Sequence, residues 1–170
     1  MTRAIARFTD AIVLLARLGA GLAFAVLIGT VLIQVIGRST GVSAVWTEEL
    51  TRYALLYMVA FGAGLALRTG DLVNVDVICE HLPSPIPWLL RLMCAIATAG
   101  LAIFLLAGAW RFTSIGAMQT SPALGMPMTY AHITVWLLLL LLAVFAALRV
   151  IGMLSRTEDG LPTQKTTDPG

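Results

Sequence analysis

"LGAGLAFAVLIGTVLIQVI", residues 18–36, runs for 19 residues without a charged side chain. As a helix rising ~1.5 Å per residue it is about 28 Å long, close to the ~30 Å hydrocarbon thickness of a bilayer. A backbone in lipid must satisfy its own N–H and C=O groups, so such a segment spans as a helix. Three further apolar runs follow, at 53–67, 92–110 and 133–148, the last closed by Arg149.

The rest of the chain agrees. Of 170 residues, 59% are hydrophobic and only 12% charged, with mean hydropathy +0.92; a soluble domain carries about 25% charged residues. The expected fold is an all-α integral membrane protein. Its single domain covers residues 1–155, with helices near 11–37, 47–68, 86–111 and 129–151. A polar tail, 156–170, contains Pro and Gly and is expected to be disordered. The N-terminal "MTRAIARFTDAIVLLARLGAGLAFA" has the basic start and A-x-A-like end of a signal peptide, but its apolar run continues to Ile36, so it is read as a retained helix. In the 68–87 connection, "LVNVDVI" alternates like a strand. An isolated strand beside a bilayer leaves its edges unpaired, so a helical continuation or an interfacial turn is expected there.

Basic residues set the expected orientation. With the N-terminus inside, Arg3, Arg7, Arg17, Arg68, Arg91, Arg149, Arg156 and Lys165 are cytoplasmic, against Arg38, Arg52 and Arg111 outside. That asymmetry places both termini in the cytoplasm. Trp46, Trp88, Trp110 and Tyr130 fall near the ends of the spans, where amphipathic rings prefer to sit.

Several function classes lose support. A formal charge of +2, with no basic run interleaved with aromatics, does not suit nucleic acid. Cys79 and Cys94 form neither a C-x-x-C motif nor a disulfide framework. A haem would need axial ligands at matching depth, yet His81 and His132 fall at opposite faces. Asp76, Glu80 and His81 have a spacing that could hold a metal, but they are read as a solvated turn and no metal is expected. No nucleophile–base pair or phosphate loop stands in a credible context. No cofactor and no enzymatic activity are expected. A transporter working alone keeps an ionisable group at mid-membrane, and the apolar runs hold none.

The helices do offer small residues. Gly21, Gly29 and Gly100 are expected at packing faces, as are Gly62 and Gly64, because small residues four apart let helix backbones approach. "AGLAF" at 20–24 recurs as "AGLAI" at 99–103, aligning Gly21 with Gly100 and Gly29 with Gly108. A repeat of this kind relates two helical hairpins by an axis along the membrane normal. At the start of the second helix, "VWTEELTRYALL" (45–56) suggests Thr47 as N-cap, with Glu48 and Glu49 at the positive end of the helix dipole. Glu48 and Arg52, four apart with the acid first, are placed to pair. Glu49 is then left over, facing a partner.

Three blocks carry a family resemblance: "WTEELTRYALLYMVAFGAGLALRTGD" (46–71), "VDVICEHLP" (75–83) and "SPALGMPMTYAHITVW" (121–136). With the four-helix layout they cover nearly all of 10–153. The chain resembles the small membrane subunit of tripartite ATP-independent periplasmic (TRAP) transporters, the DctQ-like family. One departure is Leu72, where members often carry histidine. The resemblance implies a non-catalytic scaffold in the bacterial inner membrane, among membrane lipids. Its partners would be a large transmembrane subunit and a periplasmic solute-binding protein. Uptake of an organic solute, commonly a carboxylate, would be driven by a cation gradient. The partner or docking surface would include Trp46, Glu48, Glu49, Arg52, Gly62 and Gly64. A membrane redox or haem protein and a standalone small exporter are the competing classes.

Overall fold

A computed structural model describes residues 3–41, 44–69 and 86–155, with side chains from Arg7 onward. Four helices account for nearly all of it: α1 (Arg3–Thr40), α2 (Val45–Thr69), α3 (Ile86–Ile115) and α4 (Thr129–Leu154), with a short 3₁₀ turn at Gly116–Met118 after α3. Each is long and apolar enough to cross a membrane. The all-α, four-span reading is therefore what the chain adopts. α1 is longer than the apolar pattern marks. Hydropathy reports where a helix meets lipid, whereas backbone hydrogen bonding carries the helix on through "RAIARFTDAI" and "GRST". The tail 156–170, the "LVNVDVI" segment, Leu72, Cys79 and the Asp76–Glu80–His81 group lie outside the described residues.

The helices form an open layer in the order α1–α2–α4–α3, in which α2 and α4 are central and α1 and α3 form no packed interface with each other. Side-chain pairs set the directions. Thr30 meets Thr51, Gln34 meets Glu48 and Asp10 meets Arg68, so α1 and α2 run antiparallel. Trp110 meets Trp136 edge-on at 5.8 Å and Thr113 meets His132, so α3 and α4 are antiparallel too. Tyr57 meets Tyr130 and Gly64 meets Leu141, so α2 and α4 run parallel. An axis along the membrane normal between α2 and α4 would exchange the two hairpins. That is the relation suggested by the recurring "AGLA".

The core sits between the central helices: Leu67, Leu141, Phe145 and Ala146, flanked by Ile12, Val13 and Phe61. Gly64 makes it possible. A Cβ there would lie 2.9 Å from Cβ of Leu141 and 3.1 Å from the Phe145 ring, so only glycine lets α2 approach α4 this closely. Polar contacts between helices are few. The Thr51 hydroxyl donates to that of Thr30 at 2.9 Å, while Thr30 donates back to the carbonyls of Val26 and Leu27. Inter-helix hydrogen bonds in membranes average only ~0.6 kcal/mol, so close packing, not this pair, holds α1 on α2.

Candidate functional site

The start of α2 differs from its sequence reading. The helix begins at Val45, and Thr47 is fully buried inside its first turn. Its hydroxyl donates to the Ala44 carbonyl at 2.6 Å, so it does not cap a free backbone N–H. Thr47 is not the N-cap. Glu48 and Arg52, both exposed, do not form the expected ion pair; the Glu48 carboxylate instead accepts from Nε2 of Gln34 on α1 at 3.4 Å. An exposed pair is worth only ~0–1 kcal/mol, so a neighbouring amide competes for the carboxylate.

Glu49 is the larger correction. It is not left over but buried, with 8% of its surface exposed. Oε2 accepts the backbone N–H groups of Ala123 and Leu124, each at 3.1 Å, and Oε1 accepts the Tyr53 hydroxyl at 3.1 Å. The Ser121 side chain stands against both the carboxylate and the Tyr53 hydroxyl.

The loop that Glu49 holds is built by local chemistry. Pro122 fixes its φ at the second position of a turn opened by Ser121, and Gly125 follows at φ +66°, in the left-handed region that favours glycine. The Ser121 N–H donates to the Met126 carbonyl at 2.8 Å, and the Gly125 N–H donates to the Ser121 carbonyl at 3.1 Å. The Met128 N–H closes the loop onto the Gln119 carbonyl at 2.9 Å, and Thr120 bridges Pro127. This pattern leaves the N–H groups of Ala123 and Leu124 pointing out of the turn together, an anion-binding nest. Leu124 has a second acceptor in the Ser121 hydroxyl at 3.2 Å. Near lipid such donors need a partner, and a carboxylate gives stronger, charge-assisted hydrogen bonds than a neutral acceptor.

Two further contacts fix this end. Tyr57 donates its hydroxyl to the Tyr130 carbonyl at 3.0 Å, tying α2 to the first turn of α4. His132 stacks on Phe112 at 4.1 Å, with Nδ1 3.2 Å from the Phe112 carbonyl, so the imidazole joins α3 to α4. Gly116 admits that approach, since a Cβ there would sit 2.7 Å from Nδ1 of His132. Among the described residues no cluster of three His, Cys, Asp or Glu could hold a metal ion.

Of the residues read from sequence as a partner surface, Trp46, Glu48 and Arg52 are exposed around the clamp, Gly62 faces open space, and Glu49 and Gly64 are used within the chain. Among the described residues a Cβ at Gly21, Gly29 or Gly100 would meet nothing within 4 Å; the close contact on α1 is at Gly19, where a Cβ would meet the Phe61 ring at 2.7 Å. Ser121, Ala123, Leu124 and Tyr53 were not singled out from sequence. Ser-Pro-x-x-Gly is a recognisable turn signal, but nothing local names the distant acid it binds.

Four apolar spans in an open layer, clamped at one end by a buried carboxylate, define a multi-pass membrane protein with helix faces left uncovered. Residues 27–156 match the family of tripartite ATP-independent periplasmic transporters, DctQ component. The chain belongs to that family, and so is a component of a transport system. It is also similar to the isethionate TRAP transporter permease protein DctMQ of Oleidesulfovibrio alaskensis, 28% identical over 93 residues. The matched stretch is 50% of this chain and 14% of that protein.

Proposed function

We propose that this chain is the small, non-catalytic membrane subunit of a secondary transporter, bracing a larger transmembrane subunit in the bacterial inner membrane. The solute is an organic anion, a carboxylate in the first instance, delivered by a periplasmic binding protein and moved by a cation gradient. One observation carries the scaffold reading. Glu49 is the only buried acid among the described residues, and its carboxylate is already committed to Tyr53 and the 121–126 loop. Among the described residues no further buried acid remains in the spans to bind a coupling ion, as a self-sufficient transporter requires. The similarity to one small part of a much longer permease supports a large membrane partner, and isethionate in that relative's name is likewise a small organic anion.

Proteoliposomes containing this chain alone are expected to accumulate no solute, whereas deleting it abolishes uptake by the complete system. Uptake by the isolated chain would overturn the scaffold reading.

Both termini are assigned to the cytoplasm on the distribution of basic residues. Contact of Glu49 with Ala123 and Leu124 supports the same side for the α1–α2 and α3–α4 connections. Reporter fusions at residues 42 and 119 should therefore both be active in the periplasm. Cytoplasmic activity at either would reject the topology.

A further inference from the structure

At the opposite end of the α1–α2 hairpin lies a cavity of about 330 Å³, lined by Asp10, Val13, Leu14, Arg17, Leu65 and Arg68. Three observations set its chemistry. The first is unmet hydrogen bonding: Nη1 of Arg68 is buried and has no partner among the described residues. A buried guanidinium N–H without an acceptor is costly, and charged donors more so than neutral ones. The second is charge. Two arginines face one aspartate, and that aspartate is 4.0 Å from Arg68 with 76% of its side chain exposed, so it neutralises weakly. Arg17 has neither a hydrogen bond nor an ion pair among the described residues. Among the described residues the cavity therefore keeps one positive charge uncompensated.

The third observation is depth. Arg17 lies about 35 Å along α1 from Thr40, at ~1.5 Å per residue, a little more than the ~30 Å hydrocarbon thickness. With the Glu49 loop at one headgroup layer, the cavity falls at the other. Leu14, Leu18 and Leu22 continue from it at four-residue spacing on α1, exposed by 58%, 61% and 70%. Leu14 lines the cavity, and Leu18 and Leu22, past Arg17 on the chain, form an apolar track from the arginines into the membrane.

We propose that the Arg17–Arg68 cavity binds the phosphodiester headgroup of an anionic phospholipid, with an acyl chain along Leu14, Leu18 and Leu22. A phosphodiester carries the single negative charge the cavity lacks and supplies acceptors for Nη1 of Arg68. Guanidinium groups suit phosphate because they present several N–H donors in one plane. Basic pockets between spanning helices are a recurrent mode of headgroup recognition.

The full chain, purified with whatever membrane subunit co-elutes, is exchanged into lipid discs of phosphatidylglycerol or phosphatidylcholine, and retained lipid is counted by native mass spectrometry. Phosphatidylglycerol should be retained preferentially. Arg17→Gln and Arg68→Gln should each weaken retention about fivefold, the worth of one basic residue at a headgroup. Arg111→Gln, an exposed arginine at the other end, should leave it unchanged. Should Arg68→Gln fail to fold, Arg17→Gln decides, because Arg17 is exposed and its loss removes no packing.

Equal retention of the two lipids, or wild-type retention by Arg17→Gln, overturns the proposal. So does displacement of phosphatidylglycerol by equimolar inorganic phosphate, which would make this a site for a free anion. If the co-eluting subunit excludes phosphatidylglycerol and Arg17→Gln lowers its yield, an acidic group of that subunit occupies the cavity and the lipid assignment fails.

Discussion

Glu49→Leu should insert into the membrane normally yet lose solute uptake by about tenfold or more, while Glu48→Gln stays near wild type. The two acids are adjacent, and a surface role would rank them similarly. Burial separates them. Leucine at 49 fills the space but removes both carboxylate oxygens, stranding the Ala123 N–H and leaving the Leu124 N–H and the Tyr53 hydroxyl only the Ser121 side chain. Unmet buried donors cost the full desolvation penalty, so the 121–126 loop is expected to swing away from α2 and disturb the end where Trp46 and Arg52 are exposed.

Glu49→Gln makes the test sharper. A carboxamide has one acceptor oxygen, and set at the Oε2 position it still serves both backbone N–H groups. Its NH₂ then faces the Tyr53 oxygen, which can accept by turning its own proton outward. The loop stays in place through weaker, uncharged hydrogen bonds, and uptake falls only a few-fold. Hydrogen exchange at Ala123 and Leu124 should follow the same order: fastest in Glu49→Leu, intermediate in Glu49→Gln, slowest in Glu48→Gln and wild type. Slow exchange in Glu49→Leu would show that the carboxylate does not hold the loop.

That clamp also marks how far the sequence could be read. Four spans, their antiparallel hairpins and the turn at Ser121–Gly125 follow from hydropathy, connection length and Pro/Gly placement, all local properties. The partner of Glu49 is not local, since its acceptor atoms and their donors are 74 and 75 residues apart. From i, i+4 spacing alone Glu48 pairs with Arg52 and Glu49 is free, whereas packing gives Glu48 to Gln34 and buries Glu49 against the 121–126 loop. Helical spacing identifies possible neighbours on one helix; it cannot weigh a turn arriving from elsewhere with two N–H groups turned outward. The glycines teach the same lesson. Composition marks all of them as capable of close packing, but only the layer order α1–α2–α4–α3 decides which face a neighbour.

Gly64→Val and Gly62→Val should therefore fail in different ways. At Gly64, a new Cβ would stand 2.9 Å from Cβ of Leu141, an atom fixed to the α4 backbone that no rotamer change can remove. α2 and α4 must separate, so Leu67 loses its contacts with Leu141, Phe145 and Ala146. Overpacking of this kind costs ~1–3 kcal/mol, and the purified chain alone should melt earlier. At Gly62 a Cβ meets nothing within 4 Å, so valine there should leave that melting point unchanged or slightly raised, because valine suits a helix better than glycine. The intrinsic helix term is common to both variants, so their difference isolates packing. If the open α2 face receives the large subunit, Gly62→Val should lower the yield of co-purified complex while the isolated chain stays intact. A complex yield at wild-type level for Gly62→Val would assign that face to lipid, and equal melting of the two variants would mean that α2 and α4 do not pack through Gly64.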